Sequence, residues 1–197
     1  MATTDLITLA EAREAVNLAS GAEDTILAAY VSAASLTLDA LCGPVVQRTV
    51  TETVPVDVTD VIVLEQSPAA SITSVVEYDS AGASTTLTVE TVSSKPTSGY
   101  RLVRSRWLER RSSGAAYPFP YGGNVSVTYV AGRAASTSAV DAKFKTACKM
   151  LLANMWRFER GTGTQTFGGD GSGLPGFLVP NAVSALLADE LLPPGIA

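Results

Sequence analysis

Histidine is absent from this 197-residue sequence, and cysteine occurs only twice. Without histidine the chain lacks the commonest general base and the commonest metal ligand, and no Ser-His-Asp or Cys-His arrangement can form. Cys42 and Cys148 each fall among apolar residues of a predicted helix, which favours buried free thiols over a disulfide or a metal site. We therefore expect a protein that is not an enzyme, with no catalytic residues, no metal and no cofactor.

Long apolar runs are also missing. No run approaches the roughly 20 residues that a membrane-spanning helix requires, and the start of the chain lacks the basic residues and apolar core of a secretory signal. These absences predict a protein that is made in the cytoplasm and has no membrane partner. Charged residues make up 17% of the chain and apolar residues 46%, which indicates one folded domain with a buried core rather than a disordered chain.

Charge is unevenly distributed along the chain. The net charge is -5, but the segment 95–111 alone carries a net +5, so the remainder carries -10. The arginines of this basic patch are Arg101, Arg104, Arg106, Arg110 and Arg111. Three interpretations stay open: a structural network with acidic neighbours, a docking surface for an acidic partner, and a patch that faces passing DNA.

Two N-terminal helices and a long third helix are predicted from apolar spacing. Thr8 and Glu11 have the spacing of a capping box, which predicts a first helix over 8–19. The second helix, 24–42, ends at Gly43-Pro44. Its apolar face is expected to centre on Ile26, Tyr30, Ala33, Thr37 and Leu41, widened by Leu27, Val31 and Leu38. The third helix spans 138–160, and its lysines, Lys143, Lys145 and Lys149, are interpreted as a solvated face.

Between the helices, from 45 to 130, the apolar period changes from helical to two. Segments rich in Val, Thr, Ile and Tyr alternate with turns, which is typical of an antiparallel sheet or a small barrel. The predicted strands are 46–54, 61–64, 72–79, 85–92, 100–104 and 124–130. The loop before the last strand holds Tyr117, Phe119 and Tyr121 among prolines. These aromatics form either a contact surface or a loop folded back on its own core.

After the third helix, seven glycines between 161 and 176 predict a flexible tether. The segment 177–197 follows, with a predicted helix that ends near Leu191. A helix of about ten residues is marginal in water, so we expect this segment to become ordered only on a neighbouring subunit. The apolar side chains of this predicted docking arm are Phe177, Leu178, Val183, Leu186, Leu187 and Leu191.

The predicted fold class is therefore α+β. A helical bundle of two N-terminal helices and a long C-terminal helix holds an inserted antiparallel sheet or small barrel, with an extended C-terminal arm. The predicted domain is 1–160, followed by the tether and the arm.

The order of these elements resembles the head-tail connector (adaptor) proteins of tailed bacteriophages, over residues 5–160. The resemblance is carried by Leu9-Ala10-Glu11-Ala12-Arg13, the run Ala28 to Leu41, the leucine-to-proline step Leu64 to Pro68 before Ile72-Thr73-Ser74-Val75, the strand Val125 to Gly132, and a closing helix that ends in arginine. The chain departs from the compact family pattern in its longer β region, 76–123, and in its tail.

What the resemblance implies is a structural protein of the virion neck. Such adaptors form a ring, here of twelve copies, beneath the portal vertex, and they leave an axial channel for DNA. The implied partners are further copies of the chain, the portal protein, a stopper or tail-terminator protein and, transiently and without sequence specificity, DNA. The helical part of the family packs subunit against subunit, and C-terminal segments dock on the portal, which assigns the arm to portal docking. The alternative is a β-rich virion or surface binding module that uses the aromatic loop 117–121.

Overall fold

The computed structural model of the chain describes residues 4–160 and 179–192, in an α+β arrangement as predicted. The helices are α1 (Leu9–Ala15), α2 (Asp24–Cys42), α3 (Ala142–Arg160) and α4 (Asn181–Leu186). The strands are β1 (Arg48–Val56), β2 (Val61–Val63), β3 (Ala69–Tyr78), β4 (Ser84–Thr86), β5 (Thr88–Val89), β6 (Gly99–Val103), β7 (Trp107–Ser112), β8 (Ala115–Ala116) and β9 (Gly123–Ala131). The chain divides into a helical unit, Met1–Val46 with Ala134–Ala197, and a β unit, Gln47–Arg133. The tether predicted at 161–176 lies outside the described residues.

The first two helices begin and end for local reasons that the sequence contains. The Thr8 hydroxyl accepts a hydrogen bond from the Glu11 N–H (3.2 Å), and the Glu11 carboxylate accepts one from the Thr8 N–H (2.7 Å). This confirms the predicted capping box. The helix ends at Ala15, four residues before the predicted boundary. Gly43 ends α2 with φ of 75°, a conformation that glycine adopts without strain.

The buried face of α2 differs from the predicted one. Its fully buried side chains include Leu27, Val31 and Leu38, whereas Ile26 is 41% exposed. The prediction that Ile26 lies on the inner face is therefore wrong. Both sides of this helix carry apolar residues at helical spacing, so periodicity alone does not identify the buried side.

By length and composition alone, α2 could cross a membrane, although no apolar run of that length was expected from the sequence. In the structure its inner face instead lies in the core of the helical unit, where it packs against α1 and α3.

The β unit contains two sheets with different pairing. The first has the order β1-β9-β3-β4 and is antiparallel throughout. The second has the order β2-β7-β6-β5, with β8 added to β7, and its β5–β6 pair is parallel. In the central strand β9, Val125, Val127 and Tyr129 alternate with more exposed residues and are fully buried, as the period of two predicts. Strand β7 was not predicted.

Candidate interaction surfaces

The two cysteines offer no reactive site. Neither forms a disulfide, and both are buried, as expected from their apolar surroundings. Burial raises the pKa of Cys148 to about 12, and its sulfur lies 3.9 Å from the Ser35 hydroxyl. Because the thiolate is the reactive form, this thiol is inert at neutral pH.

The C-terminal segment packs on its own chain. Val183 and Leu187 are fully buried in the same core as α1, α2 and α3, and the Leu192 N–H donates to the Leu41 carbonyl (2.9 Å). The expectation that this segment orders only on a neighbour is therefore wrong for residues 179–192. Its leucines find their apolar partners within the helical unit, which a periodicity argument cannot reveal. Of the remaining predicted arm residues, Leu186 is partly buried against that core and Leu191 is 37% exposed; Phe177 and Leu178 lie outside the described residues.

The three lysines of α3 pair with acids of the helical unit at its surface. Lys143 pairs with Asp189 and lies 3.8 Å from Glu190. The hydrogen bond that Lys143 donates to the Asp189 carboxylate raises the pKa of Lys143. Lys145 pairs with Glu11 at 3.1 Å, and Lys149 lies 3.7 Å from Glu14 of α1. These pairs connect α3 to α1 and to the C-terminal segment.

The basic patch predicted from the sequence is divided by the structure. Arg110 is 4% exposed, and its guanidinium binds the buried Glu77 carboxylate with two hydrogen bonds of 2.8 and 2.9 Å. Two parallel N–H···O contacts between a guanidinium and a carboxylate are the strongest form of ion pair in proteins. Arg110 is therefore a structural residue within the β unit and is not part of an exposed patch.

Two more arginines of the patch are paired with carboxylates. Arg101 binds Glu109 at 2.6 Å. Arg111 binds Glu90 at 3.3 Å, and Lys95 binds the same carboxylate at 3.1 Å. Burial would raise the pKa of Glu90, but these two cations together lower it.

The two remaining arginines lie at the turn between β6 and β7. Within the described chain, the Arg104 and Arg106 side chains make no ion pair with a carboxylate; the Arg104 guanidinium instead lies 5.4 Å from the centre of the Trp107 ring. Arg104 and Ser105 both have positive φ, 49° and 54°, the conformation of a tight hairpin turn that usually carries asparagine or glycine. We call Arg104 to Arg106 the basic tip.

Neighbouring backbone groups fix the basic tip. The Ala69 N–H donates to the Ser105 carbonyl (2.7 Å), and the Leu64 N–H donates to the Arg106 carbonyl (2.9 Å). A residue other than glycine with positive φ lowers the free energy of unfolding by about 1–3 kcal/mol. These bonds help to maintain a turn that presents two arginines on a rigid support.

The structure divides the aromatic loop between the core of the β unit and its surface. Phe119 is 2% exposed in the core of the β unit, and its N–H donates to the Thr59 carbonyl (2.8 Å). Tyr121 is 73% exposed and Tyr117 is 50% exposed, with the Arg110 guanidinium 5.2 Å from the Tyr117 ring centre. Phe119 thus anchors the loop, and the tyrosines face outward.

Other apolar residues lie at the same end of the first sheet. Val56 pairs with Gly123 at the end of the β1–β9 register, and Val58 and Tyr121 each lie two residues beyond this pair, at the same end of the sheet. Val58 is 74% exposed and Tyr78 is 37% exposed. Only glycine fits at 123, because a Cβ there would collide with the Tyr78 carbonyl. We call Val58, Tyr78, Tyr117 and Tyr121 the aromatic end of the β unit.

One surface was missed by the sequence interpretation, and it lies on the side of α2 that faces away from the core. The residues of this outer stripe of α2 recur at intervals of three and four: Ile26, Ala29, Ala33, Leu36 and Ala40. Leu36 is 59% exposed and Ile26 is 41% exposed. The 14 residues 25–38 contain no charge, and this absence was the available signal, since an exposed helix face normally carries charged residues.

A second exposed face, on α3, shares this character. The outer stripe of α3 comprises Thr146, Met150, Ala153 and Arg157, with Phe158 beside it. Met150 is 37% exposed and Phe158 is 51% exposed. The stripe carries no charged residue until Arg157. The three lysines of α3 lie outside it and pair with acids of the same unit.

Solved structures with the same fold come from the particles of gene transfer agents (GTA). The chain is similar to a chain in the virion of a native GTA particle (TM-score 0.67, 24% identity) and to one in the neck of an empty GTA particle computed with C6 symmetry (TM-score 0.66, 23% identity). A third similar chain, in the neck of a native GTA particle computed with C12 symmetry, gives a TM-score of 0.55 at 22% identity. Each comparison covers 100% of this chain and 97% of the other.

No family model and no curated protein matches the sequence. At identities of 22–24%, the TM-scores of 0.55–0.67 show that the fold is shared. Because structures from the necks of phage-like particles match from end to end, the resemblance to head-tail connectors is confirmed at the level of the fold.

Proposed function

We propose that this chain is a structural, non-enzymatic protein of a virion neck, a head-tail connector that joins the capsid to the tail around a channel for DNA. The observation that carries the proposal is the likeness of the entire chain, both units included, to chains of GTA necks. A fold alone does not specify function, but here the order of the sequence elements and the whole-length fold support the same role.

The proposed assembly is a ring of twelve copies beneath the portal. Support comes from two of the similar necks, which were computed with C12 and C6 symmetry. A ring would also explain why a chain of this size exposes uncharged helix faces, since large exposed apolar patches mark interaction sites.

Portal docking is proposed for the C-terminal segment in a narrower form. Val183 and Leu187 are already buried in their own unit, so they support the segment rather than contact a partner. The exposed Leu191 remains a candidate contact, together with Phe177 and Leu178. Deletion of the segment would remove core residues, and the cleaner test is Leu191→Asp, which we expect to weaken binding to the portal protein in a pull-down without lowering the melting temperature.

The basic tip is proposed to contact DNA in the channel. Of the five arginines in the predicted patch, Arg104 and Arg106 are the two that no carboxylate in the described chain neutralises, and they lie on a fixed turn. Two phosphate contacts would give weak, sequence-independent and salt-sensitive binding, which suits DNA that must pass.

The test measures DNA binding by assembled rings. We expect Arg104→Gln/Arg106→Gln rings to bind a 30-base-pair duplex more weakly than wild type in fluorescence anisotropy, and to show a shallower dependence on salt. Arg101→Gln, which removes a paired arginine, serves as the matched control. Equal binding by wild-type and tip-variant rings would contradict the DNA role, and selective loss of binding to poly-glutamate would indicate an acidic protein partner instead.

The aromatic end is proposed as the contact for another neck protein, either the stopper or the tail terminator. Tyrosines and an exposed valine form an amphipathic surface of the type enriched in protein interfaces. A free-standing β-rich binding module would use the same residues, but the likeness of both units to neck chains favours the connector.

The central experiment is negative-stain microscopy of the purified chain mixed with the portal protein of the same virion. We expect rings of the chain on one face of the portal. The connector proposal fails if the two proteins do not associate at concentrations where a standard interface would be saturated.

A further inference from the structure

α2 of this chain is apolar on opposite sides, and only one side is covered. The inner face of α2 packs on α1 and α3. The outer stripe, with Leu36 59% exposed, has no charged residue within 25–38. A helix that is apolar all round is normally buried on every side. The described residues of the chain leave its outer side uncovered, so that side favours a partner.

We propose that the outer stripe of α2 is a self-association surface that packs against the outer stripe of α3 on the next copy of the chain. This inference rests on the proposed ring. In a ring of more than two copies each subunit must present two different surfaces that fit each other, since a surface that pairs with itself closes a dimer. The outer stripe of α3, which carries no charge from Thr146 to Ala153, supplies the second surface.

The two stripes lie on opposite sides of the helical unit. The inner faces of α2 and α3 meet where Ser35 approaches Cys148 at 3.9 Å. Each outer stripe is centred about half a helical turn from that contact, so the stripes point away from each other. Opposite placement allows each copy to contact one neighbour on either side.

The side chains of the stripes suit close helix packing. Ala29, Ala33 and Ala40 are small, so a second helix can approach, and Leu36 and Ile26 project between them as knobs. Met150 on the outer stripe of α3 is unbranched and adapts to irregular surfaces. Both stripes repeat at intervals of three and four residues, which is the spacing that interlocking helices share.

Disulfide trapping tests the pairing directly. In rings assembled with the portal protein, a Leu36→Cys/Met150→Cys variant should form, on mild oxidation, a ladder of covalent oligomers longer than dimers on a non-reducing gel. The native cysteines are buried and give little background. A Leu36→Cys/Val92→Cys variant, with Val92 98% exposed in the β unit, should give no ladder. A ladder no longer than that of this control, or dimers from Leu36→Cys alone, would overturn the α2–α3 pairing.

Substitution of Leu36 gives an independent readout. Leu36→Asp and Leu36→Lys should each weaken self-association at least about 100-fold in sedimentation velocity, because an unpaired charge of either sign would be buried. Val92→Asp is the matched control and should associate like wild type. Circular dichroism should show the helical content and melting temperature of Leu36→Lys close to those of wild type, since the side chain is exposed in the single chain.

The outcomes separate this inference from the function on which it rests. If wild type and Leu36→Asp form equal rings on the portal, the outer stripe of α2 is not the interface, and the connector function stands. If wild type itself forms no rings with the portal, the connector function fails. If wild-type rings form, Leu36→Asp rings do not, and the two cysteines cross-link, both are supported.

Discussion

The helical unit and the β unit use charged side chains in different ways. In the helical unit the lysine pairs of α3 lie at the periphery, where Lys143 and Lys145 connect α3 to acids of the C-terminal segment and α1. The carboxylates that this unit buries, Asp5 and Asp39, accept hydrogen bonds from the Ser32 hydroxyl and the Val45 N–H. In the β unit an ion pair between Arg110 and Glu77 is itself buried. Each peripheral pair contributes little to the free energy of unfolding, so one can be removed without the others. Removal of one partner of a buried pair leaves an uncompensated buried charge and is strongly destabilising.

This difference predicts which residues each unit can lose. The chain suits the test because its two tryptophans are divided between the units, with Trp107 in β7 and Trp156 in α3. A Trp107→Phe background therefore reports fluorescence from the helical unit alone, and a Trp156→Phe background reports the β unit alone.

The largest effect is expected from breaking the buried pair. Arg110→Met should destabilise the β unit by about 3–5 kcal/mol, because it leaves the Glu77 carboxylate buried without its cation. Urea unfolding followed through Trp107 measures this change. Arg101→Met, which removes the more exposed pair with Glu109, should cost less than about 1 kcal/mol. The double variant Arg110→Met/Glu77→Leu should recover much of the loss, and equal costs for Arg110→Met and Arg101→Met would refute the comparison.

The next effect concerns the core of the helical unit. Leu187→Ala should destabilise that unit by about 2–5 kcal/mol, because it creates a cavity where the C-terminal segment packs. Urea unfolding followed through Trp156 measures this change. Leu191→Ala is the control at an exposed position of the same segment and should have a much smaller effect. If the two variants unfold alike, the segment does not contribute to its own core in solution.

A smaller effect is expected at the start of α1. Thr8→Ala removes the capping hydroxyl and should cost the helical unit about 1 kcal/mol. Thr25→Ala, at an exposed position in the first turn of α2, is the control. Thermal unfolding by circular dichroism would detect the difference, and a melting temperature for Thr8→Ala equal to that of Thr25→Ala would indicate that the capping box does not stabilise the folded unit.

The smallest effect depends on pH and lies in the β unit. Burial raises the pKa of Glu52, which accepts hydrogen bonds from the Glu65 N–H and the Tyr129 hydroxyl. The folded state therefore holds the Glu52 proton more tightly than the unfolded state, so this group's contribution to stability is complete below the ordinary pKa of glutamate and is lost as pH rises through the raised value. Glu52→Gln should thus be slightly more stable than wild type at pH 7.

The difference between Glu52→Gln and wild type should shrink as the pH falls below the ordinary range of a carboxyl group. Other titrating groups are common to both proteins and cancel. Urea unfolding followed through Trp107 at pH 7 and pH 4 measures the stability difference between the two proteins. A difference that is larger at pH 4 than at pH 7 would contradict the raised pKa of Glu52.

The sequence was sufficient where local chemistry decides structure. The Thr8–Glu11 capping box, the end of α2 at Gly43 and the alternation of β9 were each predicted from neighbouring residues, and the structure has all three. Strand β7 was missed because its inward-facing position holds Arg110, a residue type that usually indicates a surface. The Glu77 carboxylate, distant in sequence, pairs with this guanidinium and makes its burial tolerable.

The sequence by itself determined that this chain is α+β and that histidine-dependent chemistry is excluded, and the order of its elements resembles that of head-tail connectors. Tertiary structure decided which apolar residues are used within the chain and which remain exposed. Leu187 and Leu36 both belong to apolar helical patterns, yet Leu187 is buried in its own unit and Leu36 is 59% exposed. Hydrophobic burial has no direction, so only the positions of the surrounding helices determine which side of an apolar helix the chain covers itself.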